Sequence, residues 1–153
     1  MAVYYVRGVT AATAATADHA ICALWNPAAG RRIKVVEFAV FKAGTGASSD
    51  SVKIERITAR GTAGSTVTPD ADNSAEADAI PDSGALLDLA AYSAQPTRAT
   101  PGLYGWVAPN VAGAGIILPF PRGITIPPGA GLALTQRAAT AWPISEVTFI
   151  FED

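Results

Sequence analysis

The stretch GAGIILPFPRGITIPPGAGLALTQ, residues 113–136, decides the fold. It holds three short apolar runs, at 116–120, 123–126 and 132–136, which are separated by prolines and glycines. Proline lacks a backbone N–H and glycine accepts the positive φ of a tight turn, so both residue types favour breaks between strands. The stretch therefore predicts three antiparallel strands joined by turns.

The composition suits a subunit of an assembly. The chain has 153 residues, of which 50% are hydrophobic and only 16% are charged, whereas ordinary soluble domains carry about 25% charged residues. A surface with so few charges is typical of a protein that is covered by neighbours, because a free monomer needs more charge for solubility. With a net charge of −2, we expect no nucleic-acid partner.

We also expect no membrane segment, and synthesis in a cytoplasm. The apolar run at 111–118 is far shorter than the ~20 residues that span a bilayer. The N-terminal residues have no basic region followed by an apolar one, as a secretory signal would.

Short strands and turn signals alternate along the rest of the chain. Apolar, β-branched or aromatic runs predict strands at 3–6, 20–25, 33–41, 52–60, 85–93, 103–108 and 146–151. The pattern indicates an all-β protein: a single antiparallel β-sandwich, jelly-roll-like, with short turns and one long acidic loop at 69–84. The run at 85–93 is also rich in helix formers, so a helix is the alternative there.

Two of these strands carry more detailed predictions. In 33–41 apolar residues fall on both faces, which predicts a strand that is covered twice, either at the centre of a sandwich or under a partner subunit. In 52–60 the alternation shifts by one residue between Ile54 and Ile57, which predicts a β-bulge.

The N-terminal residues are expected to form a unit of their own. Residues 1–17 comprise a strand and an Ala/Thr-rich arm, and residues 18–153 comprise the sandwich domain. With so little apolar area, the arm at 10–17 would need a neighbour's surface to become ordered.

Residues for chemistry are scarce, so we expect no enzyme activity, no resident metal and no cofactor. His19 is the only histidine, whereas the metal sites of catalytic jelly-roll barrels need two or three. Cys22, the only cysteine, lies in an apolar run and is interpreted as a buried hydrophobe. The acidic loop places Asp and Glu at alternate positions, as a calcium loop does, but Ala75 and Pro81 occupy the positions of its essential glycine and glutamate. A solvated loop is the interpretation, with calcium left open.

Six residues are candidate contacts with a partner or a second subunit: Trp25, Arg31, Arg32, Lys34, Trp106 and Trp142. Tryptophan is enriched at interfaces, and a basic cluster at the start of a strand suits an acidic partner surface. The alternatives are that the tryptophans cap the core or stack on sugars, and that the basic residues are solvated charges.

Several segments resemble small virion proteins of tailed bacteriophages. They are LWNP at 24–27, RRIKVVEFAVFKAG at 31–44, KIERITARGTAGSTVTP at 53–69, RGITIPPGAGLAL at 122–134 and VTFIFED at 147–153. Their order is similar to that in phage structural proteins of the jelly-roll type that decorate or cement capsids. The resemblance runs from Leu24 to the end of the chain and brings no catalytic residue with it.

This resemblance implies a homotrimer or homodimer seated on the major capsid protein at the surface of the virion. The resulting hypothesis is a capsid decoration (cement) protein. A receptor-binding module of the tail or fibre is the alternative, and a sugar-active or metal-dependent jelly-roll enzyme is the third.

Overall fold

Twelve strands in two antiparallel sheets make up the regular structure of the computed structural model, which describes residues 2–46, 48–71, 81–99 and 102–153. The strands are β1 Val3–Thr10, β2 Ala20–Asn26, β3 Ile33–Lys42, β4 Asp50–Ala59, β5 Ser65–Val67, β6 Asp70–Ala71, β7 Leu86–Leu89, β8 Thr97–Arg98, β9 Tyr104–Ala108, β10 Gly115–Ile126, β11 Ala130–Gln136 and β12 Ser145–Glu152. The described residues include no helix, and thus none that could cross a bilayer. The predicted all-β class is confirmed.

The order of the strands is that of a jelly roll. One sheet has the order β10-β3-β12-β1-β6, and the other has β5-β7-β2-β11-β4 followed by β8 and β9, which both pair with β4. Along the chain, the eight main strands change sheet at every step except from β4 to β9, which pair with each other, so that β1-β12-β3-β10 faces β2-β11-β4-β9. Two Greek keys folded over each other produce this order. The short strands β5, β6 and β7 extend the β1/β2 side.

The core lies between the two sheets and is built from alternate residues of the long strands. In β12, Val147, Phe149 and Phe151 are all buried, as the alternation in the sequence predicts. The rings of Phe38 and Phe149 lie 4.8 Å apart at the centre. The predicted strand at 85–93 is also confirmed, since β7 pairs with β2 and buries Leu87 and Leu89.

Within this chain strand β3 is covered on one face only, so it is not the twice-covered centre of a sandwich, and the predicted assignment of its residues to two faces is wrong. Cover of its outer face by a partner subunit stays a prediction. Ile33, Val35, Phe38 and Val40 all contribute to the same core. The pairing of β3 with β12 slips between Val35 and Glu37, which leaves Val36 as an extra residue. This bulge reverses the alternation halfway along the strand and turns both apolar sets inward.

In strand β4, by contrast, a bulge was predicted where the structure has none. Its pairing with β11 continues without a slip from Val52 to Ile57, so no bulge is present there, although the pairing with β8 is irregular between Ile57 and Ala59. Val52 and Ile54 enter the main core, whereas Ile57 packs on the outer side of the sheet with Ala23 and Ala133. The apparent phase change reflects two separate apolar clusters.

The stretch at 113–136 forms two strands and not three. The first two predicted strands merge into β10, whose pairing with β3 slips between Pro119 and Ile124. Because β10 pairs on one side only, prolines within it sacrifice no ladder hydrogen bond. The turn before β11 is as expected, with Gly129 at a φ of 74°.

The N-terminal residues are part of the sandwich, so a boundary at residue 17 separates nothing. Strand β1 pairs with β12 over its whole length. The following segment is held by its own domain: Thr13 N–H donates to the Trp142 carbonyl at 3.0 Å, and the Gln136 amide donates to the carbonyls of Ala14 (2.9 Å) and Thr16. The domain itself supplies the surface that the arm was expected to find on a neighbour.

Candidate interaction surfaces

The six predicted contact residues do not form one patch. Trp142 is 1% exposed, and its indole N–H donates to the Ser145 hydroxyl at 2.7 Å. Trp25 and Trp106 are half-buried, Trp25 beside the outer cluster of the seven-stranded sheet and Trp106 against the main core. The burial of Trp142 favours the alternative that it caps the core.

The basic cluster is partly neutralised within the chain. The Arg31 guanidinium lies 3.1 Å from an Asp82 carboxylate oxygen, and the Lys34 ammonium lies 3.3 Å from Glu152. Arg32 is exposed and forms no ion pair within the described part of the chain. Exposed pairs of this kind contribute about 0–1 kcal/mol, so the cluster remains open to a partner.

The outer face of the five-stranded sheet carries a group of exposed apolar residues that sequence reasoning missed. Four exposed apolar side chains define this outer apolar face: Tyr5, Val9, Phe41 and Ile117, which are 39–55% exposed. Strand register places them on one side, because Phe41 pairs with Glu146, which pairs with Val9, and Ile117 pairs with Ala39. The face became recognisable only once the pairing of β1, β3, β10 and β12 had placed these residues side by side.

Between these apolar residues lie only a few charges. The Arg7 guanidinium donates to a Glu146 carboxylate oxygen at 2.7 Å, and both side chains remain about half exposed or more. Partly buried Ala39 and Ile150 fill the space between the larger side chains. Exposed apolar side chains interspersed with an ion pair are typical of a protein–protein contact surface.

A second exposed region lies where β9 and β10, the edges of the two sheets, come together; we name it the open edge. Its exposed apolar side chains are Leu103, Tyr104, Val107 and Val111. The Tyr104 ring lies 5.4 Å from the Phe120 ring. Two shallow depressions of about 290 and 260 Å³ flank Tyr104, the larger beside Arg122 and the smaller beside Lys53 and Arg137.

Charged side chains are also organised on the outer side of the seven-stranded sheet. Asp18 accepts from Lys53 at 3.1 Å and lies 2.8 Å from Arg98, and both cations also approach the buried carboxylate of Glu55. The hydrogen bond from Lys53 is the main reason that the pKa of Asp18 is lowered, and Arg98 adds to it. This network fastens the segment after β1 to the sheet.

A buried lysine closes one end of the sandwich. Lys42 is 2% exposed, and its ammonium donates to the Pro109 carbonyl at 2.7 Å while lying 4.4 Å from the centre of the Trp142 ring. Burial lowers the pKa of Lys42, and burial raises the pKa of the nearby Asp50 carboxyl. Nothing in the sequence predicts this site, because a lysine at the end of a strand usually points into solvent.

The side chains that the sequence analysis considered for chemistry are the cysteine and the possible metal ligands. Burial raises the pKa of the Cys22 thiol to about 12, so the thiolate is not formed at neutral pH. Within the described ranges, no three His, Cys, Asp or Glu side chains lie close enough to hold a metal ion. Most of the acidic loop, residues 72–80, lies outside the described residues, and the calcium alternative stays open.

No protein-family model and no curated protein matches this sequence. The fold and the surfaces define its class: a jelly-roll β-sandwich that exposes an apolar sheet face and an apolar edge.

Proposed function

We propose that this chain is a structural protein of a bacteriophage virion, a decoration (cement) protein that binds the outer surface of the assembled major capsid shell and stabilises it. The single observation that carries the proposal is the outer apolar face, which is exposed although the other side of the same sheet is fully packed. The resemblance of the sequence to phage virion proteins supplies the partner. In this proposal the protein is not an enzyme and needs no cofactor.

The mechanism is linkage between binding and assembly. A protein that binds the assembled shell, and not the free capsid subunit, lowers the free energy of the assembled state. Five strands about 4.8 Å apart and about 20 Å long give a face of roughly 400 Å². Burying it contributes at most about 10 kcal/mol, before the cost of association. One such contact is modest, but many copies on one shell add up.

The test measures the disruption temperature of purified shells with and without this protein. We expect the wild-type protein to raise that temperature. The double variant Val9→Lys/Ile117→Lys should fold normally, since both side chains are more than half exposed, yet neither bind the shell nor protect it. Val107→Lys, at a 66% exposed side chain on β9 of the other sheet, is the matched control and should protect as the wild type does. Equal protection by both variants, or none by the wild type, would refute the proposal.

A specific observation also supports the alternative, a receptor-binding module of the tail or fibre. The larger depression of the open edge is lined by the rings of Tyr104 and Phe120 with Arg122 beside them, and aromatic rings with a nearby donor suit a sugar. This alternative predicts that purified protein blocks phage adsorption and that a particle holds only a few copies. Hundreds of copies per particle and unaffected adsorption would favour the capsid.

A further inference from the structure

The core of the sandwich is incomplete along the open edge. Trp106 of β9 and Ile116 and Leu118 of β10 pack against the core but are only partly buried. Apolar side chains of the central strand β12, such as Val147 and Phe149, are by comparison at most 1% exposed. Large apolar side chains at the open edge therefore lack a neighbour on the outer side of β9.

Strand β9 is also unpaired on its outer side. It pairs with β4 on one side, and no strand of the described chain lies on the other. Its five residues, YGWVA, include no proline and no charge, although these are the residue types that usually protect an exposed edge. The neighbouring edge strand β10, in contrast, contains Pro119 and Pro121. Of the two edges, β9 is thus the one that can pair with an additional strand.

The hydrogen bonds of β4 show which backbone groups of β9 are free. On the β11 side, the N–H of Arg137 donates to the Ser51 carbonyl at 2.7 Å. On the β9 side, the N–H of Leu103 donates to the Ile54 carbonyl at 2.7 Å. Successive residues of a strand direct their backbone groups to opposite sides, so Val52 points to β9 as Ile54 does.

Gly105 and Val107 are the residues of β9 whose backbone groups face away from the sheet. Trp106, which lies between them, is paired with Val52 and directs its own N–H and C=O at β4. The N–H and C=O groups of Gly105 and Val107 therefore point outward, and no backbone group of a described residue is bonded to them. Two residues with free donors and acceptors at alternate positions match the backbone of an extended chain.

The side chains at this edge indicate what the added strand would carry. On the inner face, a residue beside Trp106 would cover the partly buried indole, which favours an apolar side chain. On the outer face it would meet Arg137, one Nη of which lies 3.6 Å from the position of a Cβ on Gly105. Arg137 is exposed and forms no ion pair with a described residue. A carboxylate on the outer face would therefore find an unpaired guanidinium.

We propose that β9 binds an extended segment of another protein, which adds as a further strand of the sheet. The segment has apolar side chains where it faces the core and a carboxylate where it faces Arg137. Hydrogen bonds to the backbone of Gly105 and Val107 supply affinity, and the alternation of side chains supplies specificity. The site lies apart from the outer apolar face, so this binding goes beyond the decoration function and does not depend on it.

The probe for the test is a synthetic library of peptides of about seven residues, which have Val, Ile or Phe at every second position and Thr or Glu between them. Amide hydrogen exchange measured by NMR is the readout. In the free protein the amides of Gly105 and Val107 should exchange fast, whereas β4 protects that of Trp106. At about ten times its Kd, a bound peptide should slow the exchange of both outward amides about tenfold.

Substitutions of Val107 separate the backbone from the side chain. Val107→Pro removes one outward N–H and should fold, because proline is tolerated on the solvent side of an edge strand. It should weaken peptide binding at least about tenfold. Val107→Ala keeps the N–H and is the matched control, with a loss of at most about fivefold. Arg137→Gln should weaken the peptides that contain Glu and not those that contain only Thr. Thermal melts show which variants are folded; if Val107→Pro is not, amide exchange in the wild type decides.

Three results would overturn the proposal. The first is that no peptide of the library binds at about 1 mM. The second is that peptides bind without protecting the amides of Gly105 and Val107. The third is that these amides are protected in the protein alone as its concentration rises, which would assign the edge to a second copy of the chain. These experiments contain no shells, so their failure leaves the decoration function standing, and failure of shell binding leaves peptide binding standing.

Discussion

Lys42 allows a test of which contacts stabilise the end of the sandwich at which this lysine is buried. Lys42→Met keeps the length and volume of the side chain but removes the ammonium, which donates to the carbonyl of Pro109 and lies over the ring of Trp142. A hydrogen bond from a charged donor contributes about 1.5–3 kcal/mol, and a desolvated cation–π contact contributes about 2 kcal/mol. The desolvation cost of the ammonium offsets part of this sum.

We therefore expect Lys42→Met to lower the free energy of unfolding by about 3 kcal/mol. The assay is urea unfolding at pH 7 followed by tryptophan fluorescence, which should give a lower midpoint and an unchanged m-value. Lys34→Met is the matched control: its ammonium pairs with Glu152 at a surface where 40% of the lysine side chain is exposed, so its loss should be at most about 1 kcal/mol.

The partner of Lys42 provides a second check. Burial raises the pKa of Asp50, and the Lys42 ammonium opposes that rise. If the two groups stabilise each other, Lys42→Met/Asp50→Asn should cost less than the sum of the single variants, by about 0.5–3 kcal/mol. Strict additivity, or a Lys42→Met protein as stable as the Lys34→Met control, would refute this account of the site.

Three further predictions concern the core, a close approach of strands and the acid response. Phe149→Ala removes a ring that lies 4.8 Å from that of Phe38 and should cost about 3–5 kcal/mol in urea unfolding. Gly131→Val would place a Cβ 2.6 Å from a backbone carbonyl oxygen on β2, so we expect a loss of about 2–4 kcal/mol or no folding. The pKa of Asp18 is lowered by Lys53, so its carboxylate stabilises the fold above the ordinary pKa of 3.8 and loses this effect as the pH falls through the lowered value. Asp18→Asn should thus cost about 0.5–1 kcal/mol at pH 7 and nothing at about pH 2.

Each of these predictions has a matched control. Val107→Ala, at a side chain that is 66% exposed, should leave stability within about 0.5 kcal/mol of the wild type. Gly102→Val meets no atom closer than 3.5 Å and should be tolerated. Asp70→Asn, at an exposed carboxylate that forms no ion pair with a described residue, should cost less stability at pH 7 than Asp18→Asn does. If the control variants lose as much stability as the test variants, burial and contact do not explain the losses of stability.

The sequence predicted the strands well and the faces poorly. Strand β12 alternates cleanly, and its inward residues were assigned correctly because no bulge interrupts it. Strand β3 is richer in apolar residues, but the bulge at Val36 reverses the phase, and no residue type marks that position. The outer apolar face was missed because it also depends on which of the strands β1, β3, β10 and β12 are neighbours.

For the candidate contact residues, too, the sequence left alternatives open that only the structure decided. Tryptophan near a turn is equally compatible with an interface and with a capped core, and only the packing of Lys42, Ser145 and the segment after β1 around Trp142 decided for the core.

By itself the sequence determined that this protein is built of short strands separated by Pro/Gly turns, with few charges and a single histidine. These are local properties, fixed by φ preferences and side-chain alternation. The tertiary structure decided which strands are neighbours, where the register slips, and hence which apolar residues are left exposed. Pairing partners lie as much as 149 residues apart, as Val3 and Glu152 do, and the choice among such distant pairings depends on the packing of the whole core.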